Sequence, residues 1–227
     1  AGSLMTHFRN ALVVGALILS LPLIAARAVV LPPISDPPTG EYRPGKFVWI
    51  DLVTADVAAA EKFYGGMFGW TFDRVGDGPA RYTLAYQDGF PVAGIAARAP
   101  VPGTKGPQVR DSWWIAYMSV ADVDRAAADV VARGGKTLIP ARTLEGRGRM
   151  VVLADPDGAP FGLVKSASGD PPDFRAEPGE WIWAVYQSPD AASAAAFYQD
   201  LGNYEVVPGD LVGNAARFDL QADGFAR

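Results

Sequence analysis

The 227-residue chain carries 25 acidic and 20 basic side chains and no cysteine. The lack of cysteine excludes disulfides and lipidation at a cysteine. Without residues 1–28, 18 basic side chains face 25 acidic ones, and no basic run is present. This balance argues against nucleic acid as a partner.

The N-terminal residues have the pattern of a signal peptide. A short, weakly positive segment at residues 5–10 precedes an apolar segment at residues 11–26. Ala26, Arg27 and Ala28 then form an A-x-A cleavage site. We therefore expect residues 5–28 to be removed, leaving an exported periplasmic or extracellular protein with no stable membrane insertion. The alternative is a retained membrane anchor formed by residues 11–26.

A segment rich in proline follows the predicted cleavage site. Residues 29–45 contain five prolines and show no hydrophobic periodicity. Such a composition is typical of an extended linker, so we expect the folded body to begin near residue 46.

The first predicted unit is a strand, a capped helix and three more strands. Residues 47–53 are rich in β-branched and aromatic side chains, and Asp56 is placed to cap a helix that ends at Gly69. That helix has an apolar stripe at Ala60, Phe63, Tyr64, Met67 and Phe68. Further strands are predicted at residues 70–72, 81–86 and 90–97, with a turn at 87–89.

The second predicted unit repeats this order after a loop at residues 100–106. Its first strand is predicted at residues 113–120, and Asp122 caps a helix over residues 123–133. Strands follow at residues 136–139, 149–154 and 160–165, with a polar loop at 143–148 and a turn at 155–158.

A third copy repeats the first at an offset of 134 residues. The matched pairs are Trp49 with Trp183, Asp56 with Asp190, Phe63–Tyr64 with Phe197–Tyr198, and Trp70 with Tyr204. We expect residues 169–179 to be a linker and residues 180–227 to be the truncated start of a second domain. Because an unfinished unit would expose apolar surface, we also expect a longer natural gene or a partner chain, such as a homodimer formed through this third module.

Two motifs resemble the vicinal oxygen chelate superfamily, which includes glyoxalases, bleomycin-resistance proteins and extradiol dioxygenases. They are ADPDGAPFGLV at residues 154–164 and FYGGMFGW at residues 63–70. The resemblance implies an α+β fold in which paired βαβββ modules form an open half-barrel sheet. The complete pair would occupy residues 46–168, as modules 46–98 and 111–168, with a partial third module after it.

The positions where the family holds a metal do not carry metal ligands. The resemblance places a His or Gln on the first strand of each module, at Trp49 and Ile115, and a Glu on the last strand, near Gly94 and Gly162. None of these side chains coordinates a metal. His7, within the predicted signal peptide, is the sole histidine in the sequence. We therefore expect no cofactor and no bound transition metal.

The concave face is the predicted site for a ligand. Alternation along a strand places side chains of equal parity on one face, and glycine leaves room for a ligand or a neighbouring backbone. The cavity candidates are Trp49, Asp51, Gly94, Trp113, Ile115, Tyr117 and Gly162. An aromatic pocket with few polar groups is typical of small-molecule sites.

Each of these interpretations has a structural alternative. Trp49 and Trp113 could belong to the hydrophobic core. Asp51, a carboxylate within a strand, is either a general base with a raised pKa or a side chain that points to solvent. Glu145, Arg147 and Arg149 are interpreted as a solvated charge cluster near the rim of the pocket.

The sequence thus predicts a glyoxalase or bleomycin-resistance-like protein that binds a small, partly aromatic molecule without a metal. One alternative is a lyase or dioxygenase-type enzyme of the same superfamily that uses an unconventional site. Another is a structural or interaction protein. Conventional glyoxalase I and extradiol dioxygenase chemistry is not expected, because the metal ligands and histidines are missing.

Overall fold

The structure is a computed structural model that describes residues 30–76, 82–98, 112–173, 175–182, 184–209 and 218–221. The signal peptide or anchor, the loop at 100–106, Trp183 and the end of the chain lie outside the described residues. Export, anchoring and the homodimer therefore stay predictions. Within the described ranges, no helix has both the length and the apolar character needed to cross a membrane.

Two units of identical order form the first domain. The first contains β1 (Phe47–Thr54), α1 (Val57–Phe68), β2 (Thr71–Val75), β3 (Tyr82–Gln87) and β4 (Phe90–Ala97). The second contains β5 (Trp113–Ser119), α2 (Val123–Ala132), β6 (Lys136–Leu144), β7 (Gly148–Ala154) and β8 (Pro160–Ser166). The predicted α+β fold built from paired βαβββ modules is confirmed.

All eight strands join one open, curled sheet in the order β2-β3-β4-β1-β5-β8-β7-β6. The strands β1 and β5 pair antiparallel at the centre, where Trp49 lies opposite Tyr117. Each of these strands also pairs in parallel with the last strand of its own module. The strand order is therefore the same in both directions from the centre, and the two modules share one concave face.

The helices begin where the sequence places a capping carboxylate. Asp56, Asp122 and Asp190 each accept hydrogen bonds from backbone amides of the first helical turn. Gly69 has the left-handed conformation that ends α1, with φ of 76°. Asp88 and Gly89 both have positive φ, which matches the two-residue turn of a hairpin between β3 and β4.

Strand alternation sorts the core into two layers. Tyr117 belongs to the concave cluster with Trp49 and Tyr82, whereas its neighbour Met118 packs on the opposite face with Leu163. The helices cover this opposite face, where Val123 and Val130 of α2 are buried.

The predicted apolar stripe of α1 is largely uncovered in the described structure. Phe63 is 55% exposed, and Met67 and Phe68 are exposed as well. Ala60 and Tyr64 are partly buried, and the Tyr64 ring stacks on Trp70 with 5.4 Å between the ring centroids. Hydrophobic periodicity predicts that a helix has an apolar face, but it does not show what covers that face.

Strand β6 is longer than predicted, and this shortens the polar loop that follows it. The prediction ended the strand at Ile139, before Pro140, which cannot donate a ladder hydrogen bond. The structure continues β6 to Leu144 at the edge of the sheet, with register shifts between Thr137 and Arg142 that accommodate the proline. The expected loop at residues 143–148 therefore contracts to a tight turn between β6 and β7.

The segment expected to be an extended linker packs against the domain. Ile34 is buried in the concave cluster, and the Ser35 amide donates to the Ser168 hydroxyl at 3.0 Å. The amide of Arg43 donates to the Asp170 carboxylate at 2.6 Å. We call the described residues 30–45 the N-terminal strap. Its amides find partners on the body, which the proline content alone did not indicate.

The second predicted linker is also held in place. The indole of Trp70 donates to the carbonyl of Gly179 at 2.8 Å, and Lys46 donates to the carbonyl of Pro171 at 2.6 Å. Lys46 also forms an ion pair with Asp173. Residues 169–173 and 175–179 therefore lie along the first domain.

The third copy contains α3 (Ala191–Gly202), β9 (Glu205–Pro208) and β10 (Phe218–Gln221), the two strands pairing antiparallel. No strand forms at residues 184–189, where the repeat predicts one. Phe197 of α3 is 8% exposed and packs against Phe161, and the Tyr198 hydroxyl donates to Asp155 at 3.0 Å. The third copy thus packs on the second module, through the residue that matches the exposed Phe63.

A glycine substitution tests the close approach between β5 and β8. A Cβ atom at Gly162 would lie 2.1 Å from the Tyr117 ring. We expect Gly162→Ala to lower the free energy of unfolding by about 1–3 kcal/mol, because the ring must move within a packed face. Urea unfolding followed by far-UV circular dichroism measures the change.

Gly66→Ala provides the matched control. Gly66 lies within α1, and no atom approaches its Cβ position within 4 Å. Alanine there should leave stability unchanged or raise it by up to about 1 kcal/mol. Equal effects of the two substitutions would contradict the packing described at Gly162.

Candidate functional site

A buried carboxylate lies at the centre of the concave face. Asp51 on β1 is 7% exposed, and its Oδ1 atom accepts hydrogen bonds from the Trp49 indole at 2.8 Å and the Tyr82 hydroxyl at 2.5 Å. The side chain of Tyr117 on β5 also lies beside this carboxylate. Side chains from β1, β3 and β5 therefore meet at Asp51.

Burial and hydrogen bonding act on this group in opposite directions. Burial raises the pKa of Asp51, because removal from water disfavours the charged form. The donors Tyr82 and Trp49, the nearby Tyr117 and the positive charge of Arg147 act against that shift. Burial and the neighbouring Asp51 charge also hold the pKa values of Tyr82 and Tyr117 well above their usual range. Both tyrosines therefore remain protonated at neutral pH.

The two glycines at the family's metal positions make room for this network. A Cβ atom at Gly94 would lie 1.7 Å from the Tyr82 hydroxyl and 2.2 Å from Oδ1 of Asp51. At Gly162 the space is taken by the Tyr117 ring. The predicted reason for glycine was a ligand or a neighbouring backbone. In the structure, neighbouring side chains take that space.

Arg147 is the second charged group of the site. It lies in the turn between β6 and β7 and is 1% exposed, so its interpretation as part of a solvated cluster is wrong. Its guanidinium lies over the Trp49 ring, 4.1 Å from the ring centroid, and 6.0 Å from that of Tyr82. Neither terminal nitrogen has a hydrogen-bond partner among the described residues.

A cavity of about 140 Å³ lies beside these groups. Its wall includes apolar side chains such as Ile115 and Val152, and its polar lining comes from Asp51, Tyr82, Tyr117, Arg142 and Arg147. Leu31 of the N-terminal strap also contributes to the wall, and its amide donates to the carbonyl of Glu145 at 3.1 Å.

The structure places the predicted site residues in three kinds of position. Asp51, Ile115 and Tyr117 line the cavity. Trp49 is buried beneath Arg147, so it joins the core and also supports a cavity residue. Gly94 leaves space for the Tyr82 hydroxyl, and Gly162 leaves space for the Tyr117 ring.

Trp113 is the outlying member of the predicted set. It shares the face predicted by alternation but lies near the start of β5, is 43% exposed and contacts the guanidinium of Arg98. The polar site residues that sequence reasoning missed are Tyr82, Arg142 and Arg147, and the missed apolar ones include Leu31, Ala96 and Val152. Tyr82 had a detectable signal, because strand parity places it with Leu84 on the concave face. For Arg147 and Leu31 no pattern indicated burial.

The donor set does not fit the divalent metal that the family resemblance implies. Within the described ranges, no group of three or more His, Cys, Asp or Glu side chains is placed to hold a metal. Asp51 is the carboxylate that lines the cavity, and its Oδ1 atom already accepts two hydrogen bonds. One carboxylate in this state falls short of the ligand count of a metal site.

Comparison with known proteins agrees with the fold. CFP32 from Mycobacterium tuberculosis, provisionally named a glyoxylase, is 36% identical over 165 residues, covering 72% of this chain and 62% of that protein. The anthracycline biosynthesis protein DauV from Streptomyces sp. strain C5 is 32% identical over 166 residues, covering 70% and 60%. The chain thus spans less than two thirds of the length of these relatives.

Solved structures show a weaker likeness. The Mn(II)-bound glyoxalase from Novosphingobium aromaticivorans has a TM-score of 0.49 at 18% identity, covering 73% of this chain and 55% of that one. A variant of homoprotocatechuate 2,3-dioxygenase from B. fuscum has a TM-score of 0.49 at 15% identity, covering 89% and 53%.

The family comparison covers both βαβββ modules. The model of the glyoxalase/bleomycin resistance protein/dioxygenase superfamily matches residues 46–163, which is more than half of the chain. This range runs from the start of β1 into β8 and includes Asp51, Tyr82, Tyr117 and Arg147. The chain belongs to the glyoxalase/bleomycin resistance protein/dioxygenase superfamily.

Proposed function

We propose that the chain binds a small, partly aromatic molecule in the concave cavity and that it does so without a metal ion. The observation that carries the proposal is the composition of the cavity wall. Apolar side chains dominate it, and a few polar groups converge from different strands. This combination is typical of small-molecule sites, in which the apolar wall provides affinity and the polar groups orient the ligand.

The state of Asp51 supports binding without a metal. A carboxylate that serves as a metal ligand needs free lone pairs directed at the ion, and further ligands must share the coordination. At Asp51 the Trp49 indole and the Tyr82 hydroxyl converge on one oxygen. The described residues add no second carboxylate to the cavity wall.

The name of one relative is in line with an aromatic ligand. DauV is named for anthracycline biosynthesis, and anthracyclines contain fused aromatic rings. For the present chain we infer only that the ligand is aromatic, because the match covers 60% of DauV.

Two findings favour the enzymatic alternative. Burial raises the pKa of Asp51, and CFP32 carries a provisional glyoxylase name. A raised pKa suits a group that exchanges protons near neutral pH. The hydrogen bonds from Tyr82 and Trp49 act against this role, because they stabilise the carboxylate and lower its pKa. They favour a positioning role for Asp51, as the acceptor that orients Trp49 and Tyr82.

A fragment screen tests metal-independent binding. We expect hydroxylated aromatic fragments to bind protein that has been treated with EDTA and dialysed, and added Mg²⁺, Mn²⁺ or Zn²⁺ should leave their affinity unchanged. Ligand-detected NMR measures binding, and elemental analysis checks the metal content. Binding that disappears with EDTA and returns with one metal would contradict the proposal.

Substitutions at two neighbouring residues test whether the ligand binds in the concave cavity. Ala96 lines the cavity, whereas Ala97 is exposed. Ala96→Leu should weaken binding at least about tenfold by filling the cavity, and Ala97→Leu should leave it unchanged. Circular dichroism verifies that both variants are folded. Equal affinities in the two variants would place the ligand elsewhere.

The pKa of Asp51 predicts a pH dependence of stability. The folded state holds this pKa above the unfolded value of about 3.9, so between those two values the folded state binds more protons. The free energy of unfolding of the wild-type protein, relative to Asp51→Asn, should therefore fall as pH rises above about 3.9. Urea unfolding at a series of pH values measures the difference.

Asp124→Asn is the control, because the contribution of Asp124 to stability should change with pH in the opposite direction. Hydrogen bonding to Arg149 lowers the pKa of Asp124, so its contribution is present at neutral pH and is lost as pH falls. The effect should be small, because this ion pair is exposed to solvent. If the wild-type and Asp51→Asn stabilities run parallel with pH, the described environment of Asp51 is wrong.

A further inference from the structure

The guanidinium of Arg147 is buried, and its two terminal nitrogens have no hydrogen-bond partner in the part of the chain that the structure describes. The side chain is 1% exposed and lines the cavity, and its flat face lies on the Trp49 ring. Both terminal nitrogens lack a partner among the described residues, so neither of them donates to Asp51. A buried cation of this kind is costly unless an anion or a polar group satisfies it.

The charges of the residues around the cavity favour a negatively charged ligand. Arg142 and Arg147 both line it, and Asp51 is the carboxylate among the lining residues. If Asp51 is ionised, the described lining residues carry a formal charge of +1, and if it is protonated their charge is +2. An anion therefore improves the balance in either state of Asp51.

The geometry of arginine indicates which anion fits. A guanidinium presents its terminal N–H groups as a planar fork that matches the two oxygens of a carboxylate, and it also donates to a single anionic oxygen. The face of Arg147 is already occupied by Trp49, so its edge remains for such an acceptor. The apolar wall at Ile115 and Val152 suits the carbon skeleton of the same ligand.

We propose that the ligand is an aromatic compound with an anionic oxygen group, a carboxylate or an ionised phenol, which accepts hydrogen bonds from the terminal nitrogens of Arg147. This inference rests on the proposed function, and it adds the charge of the ligand and the residue that recognises it. Asp51 and Tyr82 hold the Trp49 ring on which the guanidinium lies, so they are positioning residues.

Matched probes test the charge of the ligand. The probes are 2-naphthoate, the neutral 2-naphthamide and 2-naphthol, measured by isothermal titration calorimetry on the full chain after EDTA treatment. We expect naphthoate to bind at least about tenfold more tightly than naphthamide at pH 7. Naphthol should bind more tightly as pH rises through its own ionisation, which distinguishes a phenolate site from a carboxylate site.

Substitutions test whether Arg147 recognises the anionic group of the ligand. Arg147→Met should remove the preference for naphthoate over naphthamide, whereas Arg149→Met should keep it. Arg149 is the appropriate control, because it lies two residues away but pairs with Asp124 outside the cavity wall. Arg147→Met should also unfold at the same or a higher temperature than the wild type, since an apolar side chain replaces a buried, unpartnered charge.

The outcomes separate the two proposals. Equal binding of naphthoate and naphthamide that remains sensitive to Ala96→Leu would overturn the anion inference and leave the proposed function standing. Failure of every probe to bind would count against both. If Arg147→Met does not fold, the comparison of naphthoate with naphthamide on the wild type still decides the charge. Arg147→Lys, which keeps the charge without the fork, should then show an intermediate preference.

Discussion

The concave face of this protein depends on burying one carboxylate with enough donors. Asp51 lies in the central strand of an eight-stranded sheet, where an unpaired charge would be costly. Trp49 and Tyr82 supply two of the donors, and Tyr82 reaches Asp51 because Gly94 has no side chain in its path. The position of the Trp49 ring in turn provides the surface on which Arg147 lies. One buried group thus fixes residues from three strands and one turn.

This network lies where the family resemblance places a metal. The four positions hold Trp49, Ile115, Gly94 and Gly162, and the two glycines give their space to tyrosine side chains. The site is nevertheless polar, because it contains a hydrogen-bonded carboxylate and a buried guanidinium. A metal would attract the electron pairs of a ligand oxygen, and Arg147 provides a cationic donor for the same type of atom. The fold is therefore compatible with recognition of oxygen groups by side chains alone.

Much of the fold could be predicted because its signals are local. Capping carboxylates, glycine turns and strand alternation each act within a few residues, so Asp56, Gly69 and the parity of Asp51 were predicted correctly. Arg147 could not be predicted in this way, because the sequence placed it in a polar loop and placed the strap, whose Leu31 reaches Gly146, in an extended linker. Sequence patterns also do not distinguish Phe63 from Phe197. The first is exposed and the second is covered by the second module.

A crystal structure grown with an aromatic carboxylate and excess Mn²⁺, with anomalous scattering data, tests the central claim most directly. We expect the carboxylate within hydrogen-bond distance of Arg147, the aromatic ring against the apolar wall near Ile115, and no anomalous peak beside Asp51. A manganese peak within about 2.5 Å of an Asp51 oxygen, with the ligand bound to the metal, would contradict it.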